Sequence, residues 1–230
     1  MKISILTICP EMFESILKDH VIKRAVDLGQ MVLNIMDIRS FADGCYRKVD
    51  DSPYGGGFGM VMRVQPVVDA VKAADTGEMN ALKIAFSPAG TPFRQELAQE
   101  FSRADHLILV CGHYEGMDER IFTHVDKTVS MGDYILSGGE IAAMAVTDAV
   151  ARLLSGVLKA GSLEEESFSA GLLEYPQYTK PAEYLGEKVP EVLLSGNHEA
   201  VRRWRQEQAL ERTKRLRPDL LVPEQAFSSG

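Results

Sequence analysis

The sequence predicts an α/β fold with a mostly parallel sheet, followed by a small C-terminal helical part, and three observations predict it. Short apolar runs alternate with segments of helical period up to about residue 154, the pattern of strands joined by crossover helices. Two glycine-centred runs, residues 111–120 (CGHYEGMDER) and 130–140 (SMGDYILSGGE), each follow a strand-like stretch and lead toward a helix. Beyond residue 170 the character changes, with Pro176, Pro181, Pro190 and Pro218 punctuating short helices.

Residues 2–8 read as a first strand. Residues 11–28 carry Phe13, Ile16, Leu17, Val21, Ala25 and Leu28 at helical spacing, and Gly29 is placed to end that helix. A second strand is expected at 31–38. Residues 50–59 hold Pro53 and four glycines, so they form a loop rather than a helix or regular strand. Pro66 opens a helix through Ala74. Residues 82–86 and 106–111 read as buried strands, separated by a helix that Thr91 caps with Pro92 in its first turn. Residues 140–154 have a helical period at Ile141, Met144, Ala145, Ala149 and Leu153 and are apolar enough to need burial against the sheet or another subunit. Residues 155–168 lack periodicity and read as a mobile linker. Asn197 caps a longer helix through Arg215.

With 230 residues and 45% hydrophobic content, the chain can bury a real core. Cys9, Cys45 and Cys111 are widely spaced, without a Cys-x-x-Cys pair, so neither a disulfide framework nor a zinc cage is suggested and no metal ligands are assigned. The N-terminal apolar run is too short for a signal peptide and no segment reaches membrane-spanning length, so a cytoplasmic protein is expected, with no membrane partner. The net charge of −8 argues against indiscriminate attraction to polyanions. Residues 197–217, however, carry seven basic and three acidic side chains, +4 against −12 for the remainder. That stripe is either a solvated helix face or a nucleic-acid contact.

The glycine runs do not match the dinucleotide or nucleoside-triphosphate fingerprints. Three strand-to-helix turns remain, at 86–90, 112–116 and 131–139. Ligands sit outside the carboxyl ends of strands in open α/β sheets, so the three turns are placed to converge on one crevice.

Residues 50–60 (DDSPYGGGFGM), the two glycine runs, 171–181 (GLLEYPQYTKP) and 193–198 (LLSGNH) together resemble, in order and over nearly the whole chain, the bacterial tRNA (guanine-N1)-methyltransferases of the SPOUT class. The resemblance implies a trefoil-knotted domain at 1–158, threaded around residues 85–140, a flexible linker at 159–172 and a helical tRNA-binding domain at 173–230. It implies a homodimer with active sites at the subunit interface, and transfer of a methyl group from S-adenosylmethionine to N1 of the guanosine immediately 3′ of the tRNA anticodon. The donor's site would comprise Phe86, Ser87, Pro88 and Gly90; Gly112, Tyr114, Glu115 and Gly116; Met131, Gly132, Asp133, Tyr134, Ile135 and Leu136; and Gly138 and Gly139. Asp50 and Gly59 would meet the guanine, and Arg202 and Arg203 the tRNA. Mg²⁺ is a further expected cofactor, with Glu115 one candidate contact.

N1 of guanine carries a proton at neutral pH, so methylation there needs a base and a stabiliser for the charge developing toward O6. By resemblance the stabiliser is Arg152. The base is the carboxylate before Ser-Phe in the linker, where the family has Asp and this chain has Glu166, with Glu165 as a second candidate. Ser155 also stands where the family usually has Pro. These departures motivate a competing reading, a catalytically impaired SPOUT-like RNA-binding protein. Asp50 and Asp51 either orient the guanine or cap the glycine loop. His113 reads as a surface imidazole, and Trp204 as a packing anchor or a base-stacking surface.

Overall fold

The computed structural model describes residues 1–77, 79–159, 166–168 and 171–221. The chain divides into two compact units, Met1–Lys159 and Ala160–Gly230. In chain order the first contains β1 (Lys2–Thr7), α1 (His20–Asp27), β2 (Val32–Asp37), β3 (Asp50–Asp51), β4 (Val61–Met62), α2 (Val64–Ala74), β5 (Ala81–Pro92), α3 (Gln95–Phe101), β6 (His106–Val110), β7 (Lys127–Ser130) and α4 (Glu140–Leu153). Five strands form a wholly parallel sheet in the order β2-β1-β6-β5-β7, the α/β architecture the sequence predicts. β3 and β4 make a separate antiparallel pair.

Alternate strand residues point to opposite faces, and helices cover both. On one face Ile3, Ile5, Leu107 and Leu109 pack with Ile22 of α1, Phe101 of α3 and Val146 of α4. On the other Leu6, Ile108 and Val110 pack with Val67 and Val71 of α2. β6 lies at the centre and is buried at every residue, which is why its sequence is an unbroken apolar run after His106.

Two expected helices differ from the structure for identifiable reasons. The helix expected over 11–28 begins only at His20, after 3₁₀ turns at Pro10–Glu14 and Ile16–Lys18. Asp19 is extended (φ −61°, ψ 139°), and its carboxylate accepts from the Val21 and Ile22 amides. An N-cap inside the apolar pattern divides it. Thr91 and Pro92 cap nothing: they extend β5, opposite Val129 and Ser130 of β7. The helix there starts at Gln95, with no side-chain cap at Arg94. Of the linker expected at 155–168, residues 160–165 lie outside the described residues, as do 169 and 170 of its C-terminal continuation.

The second unit contains a hairpin of β8 (Glu183–Tyr184) and β9 (Glu187–Lys188), then α5 (Glu191–Leu194) and α6 (His198–Leu216). Asn197 caps α6 by accepting from the Ala200 amide, as its sequence position predicts. α6 is held by specific pairs more than by an apolar stripe. Thr213, its only buried residue, donates to the Ala209 carbonyl and accepts from the Leu173 amide.

His106 opens β6 in near-complete burial, with Nε2 2.9 Å from Ser4 Oγ. Burial, then the charge of Lys2, lowers its pKa. Its depressed folded pKa makes the native chain refuse a proton that the unfolded chain accepts. The stabilisation is therefore present above the ordinary histidine range, near 6.5, and is lost as pH falls through the lower folded value. Urea unfolding at pH 7.5 and 5.5 is expected to show wild type losing more stability on acidification than His106→Gln. Equal losses would contradict this assignment.

Candidate functional site

A cavity of about 330 Å³ opens beside Phe86–Pro88 of β5 and the carboxyl ends of β6 and β7. Its walls are mainly three chain segments: Phe86, Ser87 and Pro88, at and just past the buried part of β5; residues 112–117 after β6; and residues 129–132 and 134–139 from the end of β7 toward α4. The three turns singled out in the sequence thus meet at one place.

Each turn takes its shape from a local constraint. β5 pairs with Val129 at Phe86, leaves the sheet, and returns to Val129 at Thr91. Residues 87–90 are therefore an excursion that brings Ser87 and Pro88 to the cavity. Gly90 does not line it. A Cβ on Gly90 would lie 2.5 Å from the Val129 amide nitrogen and 2.6 Å from the Thr128 carbonyl carbon, so glycine permits the chain to close back on β7. In the second turn Tyr114 is left-handed (φ 60°) and Gly116 has φ 143°. Main-chain bonds clamp this turn on two sides, Gly139 N–H to Gly112 O (2.7 Å) on one and Glu115 N–H to Met60 O (3.0 Å) and Met62 N–H to Gly116 O (2.9 Å) on the other. Gly139 fits because a Cβ there would lie 2.8 Å from Cys111 Cα. Asp133, like Gly90, is not among the lining residues.

The 50–59 loop abuts the same turn. Asp50 pairs with Met62 in β3–β4, and Met62 bridges to Met117. A Cβ on Gly59 would come 2.6 Å from Glu115 Oε1. Burial, then the Asp50 carboxylate, pushes the Tyr114 phenol up. Asp51 is different: the Ser52 amide, then Lys48, hold its carboxyl below the usual range. Tyr54 and Phe58 of this loop are fully exposed, surface available to a large partner. Cys111 is buried, and burial followed by Glu140 keeps its thiol well above the ordinary value, which removes it as a nucleophile at neutral pH.

Arg152 lies in the last turn of α4 and is half-buried. Asp148, one turn earlier, has its carboxyl pushed up by burial and by Asp19, with Arg152 opposing the shift. The remaining expected residues belong to the second unit. Glu166 is half-buried at the start of a turn that other groups hold down. Ser167 Oγ accepts from the Glu174 amide at 2.9 Å, the Phe168 amide donates to Leu172 O at 2.7 Å, and the Arg217 guanidinium lies 5.9 Å from the Phe168 ring centroid. The Ser-Phe pair therefore anchors the carboxylate's base. Arg202 and Arg203 are exposed on α6. Arg205 stacks on Tyr175 (4.6 Å), and the Trp204 ring lies 6.4 Å from that of Tyr178, favouring the packing role for Trp204.

The sequence reading did not nominate Met117, Glu119, Phe122 or Ser137, all of which line the cavity. Ser137 lies inside the second glycine run and was findable. Met117 and Glu119 lie inside the first glycine run. Phe122 comes from the 3₁₀ helix Glu119–His124, and nothing in its local sequence marks it.

A family model described as tRNA (guanine-1)-methyltransferase TrmD matches residues 1–223. The chain is 53% identical over 226 residues to the tRNA (guanine-N(1)-)-methyltransferase of Moorella thermoacetica, covering 96% of this chain and 90% of that protein. It is 52% identical over 222 residues to the protein of that name from Clostridium beijerinckii (96% and 92% covered) and 48% identical over 223 residues to that from Geobacillus kaustophilus (96% and 91%).

Proposed function

The chain belongs to the tRNA (guanine-1)-methyltransferase TrmD family, and from that premise we propose that it transfers a methyl group from S-adenosylmethionine to N1 of the guanosine immediately 3′ of the tRNA anticodon. The observation that carries the reading is the meeting of three glycine-shaped segments, the 87–90 excursion within β5 and the turns after β6 and β7, at one cavity. The cavity is within the size range of small-molecule sites. Phe86, Met131, Ile135 and Leu136 give it apolar walls, and closely approached backbone at Gly112, Gly138 and Gly139 gives it polar ones. That combination fits a ligand with a purine, a ribose and an aliphatic arm.

When bound, S-adenosylmethionine supplies an electrophilic methyl group on a sulfonium centre. Asp50 and Gly59, beside the 112–116 turn, orient the guanine. The Glu166 carboxylate would accept the N1 proton, which leaves the N1 lone pair free to take the methyl group that the donor would supply. Arg152 offsets charge developing toward O6. Glu115 presents an exposed carboxylate at the cavity, the hard oxygen chemistry that Mg²⁺ takes.

We assign residues 173–230, with Arg202 and Arg203, to tRNA contact. The knotted threading, cytoplasmic location and homodimer belong to the same proposal. α4 is consistent with a subunit contact, since Ile141 is 53% exposed while Ala142, Ala143 and Val146 are buried. No described helix is long and apolar enough to cross a membrane. The competing reading of an RNA-binding protein without catalysis is not favoured, because relatives near 50% identity carry the enzyme's name. Methylation of unmodified tRNA, read as the modified nucleoside and its position, tests the proposal.

A further inference from the structure

We propose that Cys9, His113 and Glu140 form a binding site for a thiophilic divalent cation, Zn²⁺, behind the wall of the cavity. The three come from segments far apart in sequence: the exit of β1, the turn after β6, and the first residue of α4. Their Sγ, imidazole nitrogen and carboxylate oxygen all lie within 4.8 Å of one another. Thiolate, imidazole and carboxylate are the donors Zn²⁺ takes, with three protein ligands leaving a fourth position for water. No Cys or His spacing in the sequence could reveal such a site, because the parallel sheet is what brings the donors together.

Two observations point to a cation rather than to a hydrogen-bonded trio. His113 Nδ1 is buried and, among the described residues, has no hydrogen-bond partner. It faces Glu140 Oε2 at 3.6 Å, too long for a hydrogen bond but close to the edge of about 3.4 Å that tetrahedral bonds of about 2.0–2.1 Å generate. The surroundings are also arranged as a ligand shell. Glu140 is only 2% exposed, and its other oxygen, Oε1, accepts from Thr7 Oγ1 at 2.8 Å, which fixes the carboxylate plane. The same Thr7 hydroxyl accepts from the Cys9 amide at 2.9 Å, so one side chain orients two of the three donors, the role that outer-shell partners play in metal sites. A Cβ at Gly138 would lie 2.5 Å from His113 Nδ1, and glycine keeps that space open. Cys9 and His113 are both partly exposed, which provides the entry path. Arg39, whose charge is felt at Cys9, is engaged with the Ile8 carbonyl.

A cation there cross-links β1, the 112–116 turn and α4. His113 stands edge-on to Tyr114 (5.2 Å between centroids, 83° between planes), so the site braces a turn that lines the cavity.

The test uses the full chain, stripped with a chelator and titrated with Co²⁺ as a spectroscopic probe, then with Zn²⁺. One equivalent of Co²⁺ is expected to give a near-ultraviolet thiolate charge-transfer band that Zn²⁺ displaces. Zn²⁺ at a hundred times its dissociation constant is expected to raise Tm by about 5–10 °C. Cys9→Ser abolishes both effects, Cys45→Ser leaves them, and Thr7→Val weakens binding about 10–100-fold. Absence of the band in wild type, or its survival in Cys9→Ser, overturns the proposal. Cys9 is only half-buried, so the Ser variant folds even if substitutions at Glu140 do not.

Discussion

Glu166→Gln is expected to slow single-turnover methyl transfer by about 10²–10⁴-fold, the range that a positioned general base contributes, while leaving the affinities for S-adenosylmethionine and tRNA unchanged. The amide keeps the size and hydrogen-bonding reach of the side chain and loses only the ability to take the N1 proton. Glu166→Asp separates position from basicity. Its carboxylate is one methylene shorter, and a displacement of about 1 Å costs up to roughly a hundredfold when geometry is tight. The turn that carries Glu166 is fastened through Ser167 to Glu174 and through Phe168 to Leu172 and Arg217, so it has little freedom to follow a shorter arm. The expected order is wild type, then Asp, then Gln. Wild-type rates in the Gln enzyme would remove Glu166 from the mechanism.

Gly90→Ala is expected to cost about 3 kcal/mol or more, the upper end for overpacking, because the atoms its Cβ would meet are β7 backbone and cannot rotate away. At 2–4 °C per kcal/mol for a chain of this size, Tm falls by roughly 6–12 °C. Gly56 is the comparison. A Cβ there meets nothing within 4 Å, but φ is +82°, so Gly56→Ala costs only the left-handed strain of about 1–2 kcal/mol. Calorimetric scans of the two variants decide the matter. A Gly90→Ala melting point equal to wild type would mean that β5 does not close on β7 as described.

These two residues also mark how far the sequence could be read. Gly90 was noticed as part of a turn because glycine chemistry is local, and so were Gly112, Gly116, Gly138 and Gly139. Its actual task, close approach to Val129, depends on a strand forty residues on. Thr91 and Pro92 have the composition of a helix start, yet non-local pairing with β7 outweighs that preference. Asp19 was hidden inside an apolar period that continues across it. The β8–β9 hairpin was missed because Leu185 and Gly186 both take positive φ (51° and 86°). A left-handed leucine gives none of the Asn-Gly signal that marks such turns. The meeting of Cys9, His113 and Glu140 was illegible for a simpler reason: proximity of three distant segments is a property of the sheet, not of any window of sequence.

The most direct measurement is incubation of the enzyme with labelled S-adenosylmethionine and an unmodified tRNA that has guanosine both at the third anticodon position and immediately after it, followed by nucleoside analysis and mapping. Label in 1-methylguanosine at the nucleotide immediately 3′ of the anticodon is the predicted result. Tight tRNA binding with no label, or label on a ribose or at another nucleotide, would contradict the account.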